Sequence, residues 1–187
     1  EVEARLPDIS EAVTLAGPRI IVPDFLGNRA PHADPNATAV ISGLTLAKDL
    51  DDLLATYVAA VLGVGYGLRQ IMETQKKHGV RPSAIVISGG AGERASVKQL
   101  LADASGYPVL STSSPEPVLL GAAMLGAVAS GAQPTLTEAM VAMSSVESRC
   151  DPAARTGIAQ IHEARFVAFE ALQQVDRRFR GELAQLV

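Results

Sequence analysis

Apolar residues along this chain fall into two patterns. Short unbroken runs bounded by Gly, Pro or Ser occur at Ile20-Ile21-Val22, Val40-Ile41, Ala84-Ile85-Val86-Ile87 and Val109-Leu110. Runs of this length rich in β-branched residues predict strands. Pro23 ends the first run or puts it at a sheet edge, and residues 40–44 predict an edge strand. Other stretches carry an apolar residue every three or four positions. Leu50, Leu53, Leu54, Val58, Val61, Leu62, Leu68, Ile71 and Met72 keep a period near 3.6 behind Asp49, a residue suited to an N-cap. They predict a long helix to about Lys77, closed by His78-Gly79. Residues 96–104 have helical spacing. Pro117, at a permitted first-turn position, opens a helix to about residue 130, residues 136–143 form a short one, and Ile158, Ile161, Phe169, Leu172, Phe179, Leu183 and Leu186 mark a final amphipathic helix. The order strand, helix, strand, glycine turn, helix, strand, helix describes an α/β layer fold. Residues 1–17 show neither a cap nor a sheet pattern.

The third strand stops at Ser88-Gly89-Gly90-Ala91-Gly92-Glu93. Its unbroken apolar run predicts burial on both faces, as in a sheet with helices on each side. The glycines form the turn into the next helix, where backbone N–H groups lack partners and the helix dipole is positive, and where glycine lets a ligand approach the chain. Open α/β sheets bind ligands at this edge; the alternative is a plain tight turn. The motif is neither a P-loop nor Gly-x-Gly-x-x-Gly, so a nucleotide bound here would not have its phosphates wrapped by the loop.

Three further features stand out. Gly63-x-Gly65-x-Gly67 lies inside the long helical pattern with no strand before it, so close helix packing explains it better than a cofactor loop. Gly121, Ala122, Ala123, Gly126 and Ala127 predict a helix lying close to its neighbours. Residues 24–36 form a long loop carrying Arg29, His32 and Asp34, of the sort that holds function more often than average; the simpler expectation is that Arg29 and Asp34 make a local ion pair or turn that holds the loop and that His32 is a plain loop histidine.

Composition narrows the classes. Of 187 residues, 48% are hydrophobic and 19% charged, with net charge −4 and no basic block. This suits a globular chain and excludes duplex nucleic acid as a partner, because that affinity comes from clustered Lys and Arg. Cys150 is the single cysteine, which excludes an internal disulfide and predicts a cytoplasmic setting. The apolar run nearest to a membrane span, 118–132, is too short and too rich in Gly and Ala, so no membrane partner is expected. No Gly-x-Ser-x-Gly elbow supports a hydrolase.

Taken together, Pro23-Asp24-Phe25-Leu26-Gly27-Asn28-Arg29-Ala30-Pro31 with Asp34-Pro35 and Gly43-Leu44, Ser88-Gly89-Gly90 with Gln99-x-x-Ala102-Asp103 and Pro108-Val109, and Glu116 with Gly121-Ala122-Ala123 follow one order through nearly the whole chain. This set resembles the carboxy-terminal half of FGGY-family carbohydrate kinases. Asp24-Phe25-x-Gly27-Asn28-Arg29 and Leu50-Asp51-Asp52-Leu53 are most similar to the D-ribulokinase and ribitol-kinase group. The resemblance implies an α/β, actin-like (ribonuclease-H-like) lobe with a central mixed sheet flanked by helices, and ATP held in a cleft between two lobes. It places Gly89, Gly90 and Ala91 against the adenosine. Arg94 stands where the family often has an Asn that touches the nucleotide, so that contact is expected to differ, and Leu62 replaces a common acid or amide.

The family's catalytic aspartate, most of its sugar pocket and its phosphate-gripping segments have no counterpart here. Residues 1–187 are therefore expected to be the nucleotide-side lobe of a longer ATP-dependent kinase for a pentulose or polyol such as D-ribulose or ribitol. Its amino-terminal lobe would be the partner that binds most of the Mg²⁺, and this chain alone would be inactive. The competing expectation is a non-catalytic actin-like binding or scaffolding domain. Oligomeric state stays open, a homodimer included.

Overall fold

A computed structural model describes residues 2–6, 8–90 and 94–186. A short helix α1 (Val2–Arg5) leads to a 3-10 turn (Ile9–Thr14) whose N-cap, Asp8, accepts a hydrogen bond from the Ser10 amide. The opening residues are thus ordered by a cap that the apolar pattern did not reveal. Strands β1 (Ile20–Val22) and β2 (Val40–Ser42) pair antiparallel, Ile21 facing Ile41. Helix α2 (Leu50–Lys77) starts where expected: the Asp49 carboxylate accepts from the Asp52 amide at 2.9 Å. Asp51 and Asp52 in its first turn and Lys76 and Lys77 in its last suit the helix dipole. Strand β3 (Ile85–Ile87), helix α3 (Ala95–Ser105), strand β4 (Val109–Thr112), helices α4 (Pro117–Ala129) and α5 (Leu136–Met143), strand β5 (Val146–Cys150) and helix α6 (Thr156–Leu183) complete the order.

The strands form two sheets, β1-β2 and β3-β4-β5, with β4 parallel to β3 and antiparallel to β5. The main core joins β1 to α2, α6 and the first turns through Val13, Ile21, Val22, Val58, Leu62, Tyr66, Phe166 and Phe169. A smaller one sets Val97, Leu101 and Ala102 of α3 on Val109 of β4. By length and composition α2 could cross a membrane, which the reading of 118–132 as the nearest candidate overlooked. Here its apolar stripe is seated against β1 and α3.

Gly63 and Gly65 are where that seating is tightest. A Cβ on Gly63 would lie 2.2 Å from the Ile21 carbonyl oxygen, and one on Gly65 would lie 2.6 Å from the Ala104 Cβ, whereas Gly67 faces open space. Close packing accounts for two of the three glycines.

Four expectations need correction. β3 is an edge strand with Val86 63% exposed, because the helical layer covers one face only. The small residues of α4 do not press on the body: α4 packs chiefly on α5, and Gly121 and Gly126 meet nothing within 4 Å. The stripe of α6 is seated at Ile158, Phe166 and Phe169, but Phe179 is 62% exposed. Strand β5 was not foreseen, since Val146-Glu147-Ser148-Arg149-Cys150 is polar and reads as a loop.

Candidate functional site

The β3 turn and the end of β4 form one edge of the second sheet. Gly89 has φ of +78°, the left-handed region that glycine enters without a steric penalty. No atom of the described residues lies within 4 Å of where a Cβ on Gly89 or Gly90 would sit. A cavity of about 240 Å³ lies here, lined by Ile87, Ser88 and Gly89 from β3 and its turn, by residues 111–115 from the end of β4, and by Glu147 of β5. It sits at the carboxy-terminal ends of the parallel pair β3-β4, the edge where open α/β sheets take ligands.

The cavity wall is built from hydroxyls. Ser111 and Ser148 lie 2.7 Å apart through their Oγ atoms, and Lys98, 93% buried on α3, donates from Nζ to Ser148 at 2.6 Å and to Ser111 at 3.3 Å. Lys98 and Ser148 stand behind Ser111, which is the member of this trio that lines the cavity. Ser113 and Ser145 make a second Oγ pair at 2.7 Å. Hydroxyls both donate and accept, so this wall suits the hydroxyl and ring-nitrogen groups of a nucleoside better than a cluster of phosphates.

Of the four expected nucleotide residues, Gly89 lines the cavity and Gly90 follows it in the turn. Ala91 lies outside the described residues. Arg94 is the exposed N-cap residue of α3, makes no side-chain cap hydrogen bond, and lines a separate cavity with Val2, Leu54 and Tyr57. The sequence reading missed Lys98, Ser111, Ser113, Ser114 and Glu147. The burst Ser111-Thr112-Ser113-Ser114 directly after an apolar strand was the available signal; the pairing of Ser111 with Ser148 depends on β5.

Loop 24–36 is a structural knot. The buried Asp24 accepts from Asn28 Nδ2 at 3.1 Å and from Gln173 Nε2 at 3.0 Å, and His32 Nε2 lies 3.2 Å from Gln173 Oε1. Asp34 makes the expected local turn, its Oδ1 accepting from the Asn36 amide at 3.0 Å, and its ion pair is not with Arg29 but with Arg180 of α6 at 2.7 Å. That guanidinium holds the Asp34 carboxyl below its ordinary range against the opposing effect of desolvation. Arg29 is exposed and borders a cavity with Leu26, Asn28, Ala33 and Pro35.

The fold is that of a mixed α/β, actin-like lobe. Residues 3–130 match the carboxy-terminal domain of the FGGY family of carbohydrate kinases, and the chain belongs to that family. An FGGY carbohydrate kinase domain-containing protein of Xenopus laevis is 42% identical over 132 residues, which is 71% of this chain and 24% of that protein. A D-ribulokinase of Saccharomyces cerevisiae is 35% identical over 123 residues, covering 65% of this chain and 17% of that protein. The crystal structure of a xyloylose kinase from Brucella ovis superposes with a TM-score of 0.72 at 19% identity, covering 91% of this chain and 35% of that one; this likeness is one of fold. The chain spans about a quarter of the length of the first curated relatives it matches.

Proposed function

We propose that this chain is the nucleotide-side lobe of an ATP-dependent carbohydrate kinase acting on a pentulose or polyol such as D-ribulose or ribitol. The observation that carries the reading is the cavity between Gly89 and residues 111–115 at the ends of β3 and β4. Among the described residues nothing crowds Gly89 or Gly90, which supports room for an adenosine there, with the Ser111 and Ser113 hydroxyls facing its polar atoms. Once bound, ATP supplies the phosphoryl group. This lobe binds and orients the nucleoside end, and a base acting on the sugar hydroxyl belongs to an amino-terminal lobe of the same protein. Mg²⁺ does not fit here: Glu147 is the one carboxylate among the cavity's described lining residues, and hard divalent cations need several oxygen ligands. The pentulose or polyol preference is supported by the yeast D-ribulokinase relative and by Asp24-Phe25-x-Gly27-Asn28-Arg29. A cytoplasmic location is supported by the single cysteine.

Gly90→Val in the full-length kinase tests the reading. No atom of the described residues lies within 4 Å of a Cβ there, so those residues accommodate the change while the added side chain meets the nucleotide. KM for ATP should rise roughly 5- to 150-fold, the span of 1–3 kcal/mol, with KM for the sugar within about twofold. An unchanged KM for ATP with a lowered Tm would leave Gly90 as a turn residue and remove the nucleotide role.

A further inference from the structure

The hydroxyl wall of the cavity at Gly89 stands between two charges. Behind Ser111 lies the buried Lys98, whose ammonium forms no ion pair among the described residues and donates only to the Ser148 and Ser111 hydroxyls. A lysine is rarely buried without a carboxylate, because its ammonium gives up more hydration than hydroxyls replace. Nor is it needed to join the strands: Ser111 and Ser148 bond to each other at 2.7 Å, and β4 and β5 share a ladder. An ammonium can only donate, so whichever of the two hydroxyls donates to the other, a positive charge stands behind Ser111.

On the cavity side the ladder shifts register. Ser111 lies opposite Ser148 and Thr112 opposite Val146, which leaves Glu147 as an extra residue on β5. Irregularities of this kind re-aim a side chain and gather next to active sites. Glu147 lines the cavity and is exposed, and its carboxylate has no hydrogen bond or ion pair among the described residues. The cavity therefore carries a fixed positive charge behind one wall and a free carboxylate on another.

We propose that Glu147 and Lys98 set the nucleobase preference of this site, an inference that rests on the kinase reading above. Glu147 accepts from the exocyclic amine of adenine. Lys98 is a positioning residue: through Ser111 its charge favours a lone pair, that of the ring nitrogen beside the amine. Glu147 disfavours a phosphate and Lys98 an ammonium, whereas a neutral base with a donor next to an acceptor satisfies both. Guanine carries O6, an acceptor, where adenine carries its amine, and so sets an oxygen against the Glu147 carboxylate. The volume of about 240 Å³ is below the range for whole drug-sized ligands, about 300–1,000 Å³, and suits one end of a nucleotide.

The test uses the full-length kinase, with Kd for ATP and for GTP read by titration calorimetry in the absence of sugar and Tm recorded for each variant. The natural protein should bind ATP more tightly than GTP. Glu147→Gln, at an exposed position, replaces the carboxylate by an amide that can also donate to O6, and the ratio of the two Kd values should shrink about tenfold. Lys98→Met keeps the unbranched stem and removes the charge. It should raise both Kd values about tenfold with their ratio kept, while Tm holds or rises because an unpaired buried charge is gone. Equal binding of ATP and GTP by the natural protein, or an unchanged ratio in Glu147→Gln, overturns the proposal. A Lys98→Met protein with a lower Tm and unaltered Kd values makes Lys98 a strand staple and overturns its part. Sugar-dependent release of ADP from ATP tells these failures from failure of the kinase reading: with it, an unchanged ratio removes this inference alone, and its absence with pentuloses and polyols removes both.

Discussion

Tyr66 and His162 meet inside the main core, edge to face at 6.0 Å between ring centroids and joined by one hydrogen bond. Burial raises the Tyr66 phenol to about 12 against the pull of Arg165 and Arg69. Burial also lowers His162 to about 4, against the carboxylate of Asp103 and helped by Arg165 and Arg69. Both groups are held neutral, and the signs follow from linkage. An unfolded histidine binds its proton near pH 6.5 and the folded one only near 4, so the stability contributed by neutral His162 is full above 6.5 and is lost as pH falls towards 4. Denaturant titrations should show about 2 kcal/mol lost between pH 7 and pH 5. His162→Phe should flatten that slope; a variant with the same slope as the natural chain would assign it to other groups. Tyr66 acts at the other end, its contribution full below pH 10 and lost as pH rises towards about 12.

Helix α2 shows how one residue type serves opposite ends within a single element. Gly63→Ala puts a methyl 2.2 Å from the Ile21 carbonyl oxygen, and that backbone belongs to a strand paired on its other side. Neither side can yield cheaply, so a loss of about 3 kcal/mol is expected. Gly67→Ala faces open space and should gain up to about 1 kcal/mol from helix propensity. Urea midpoints of the two variants measure both values. A Gly63→Ala protein as stable as the parent would mean that α2 and β1 do not approach as described. Gly65, 2.6 Å from the Ala104 Cβ, should fall between them, because a side-chain methyl on a neighbouring helix can move further than a paired strand.

At the scale of the whole molecule, the α4-α5 hairpin leaves apolar surface in water. Val118 is 82%, Leu119 65% and Val141 79% exposed, and Leu125 and Met140 are exposed beside them. Contiguous apolar patches of this kind mark interaction surfaces or association liabilities. Sedimentation velocity should therefore show the mean mass of this chain rising with concentration, and Leu119→Lys combined with Val141→Lys should suppress the rise. A monomer at all concentrations would show that the patch is too small or too divided to associate. The Asp34–Arg180 and Asp24–Gln173 contacts link the long loop to α6, so the loop should remain folded in both states.

Local signals in the sequence were enough to determine most of the elements, though not α1, the 3-10 turn or β5. The Asp49 cap, Pro117 at a first turn and the glycines after β3 act through their own backbone and the next few residues, so their meaning is readable before folding. The family motifs were equally legible, because they record residue types in order. What the tertiary structure decided is which of these local pieces share a neighbourhood. Val86 reads as buried but lies on the uncovered face of the sheet, since burial depends on what packs over a strand and not on the strand's own composition. Asp34 passed over Arg29 five residues away for Arg180, because the loop's turn and the position of α6 set which guanidinium can reach it. Ser111 gained Ser148 and Lys98 as neighbours only because the polar segment 146–150 found a ladder to join, its backbone hydrogen bonds supplied by β4 where its side chains gave no strand signal.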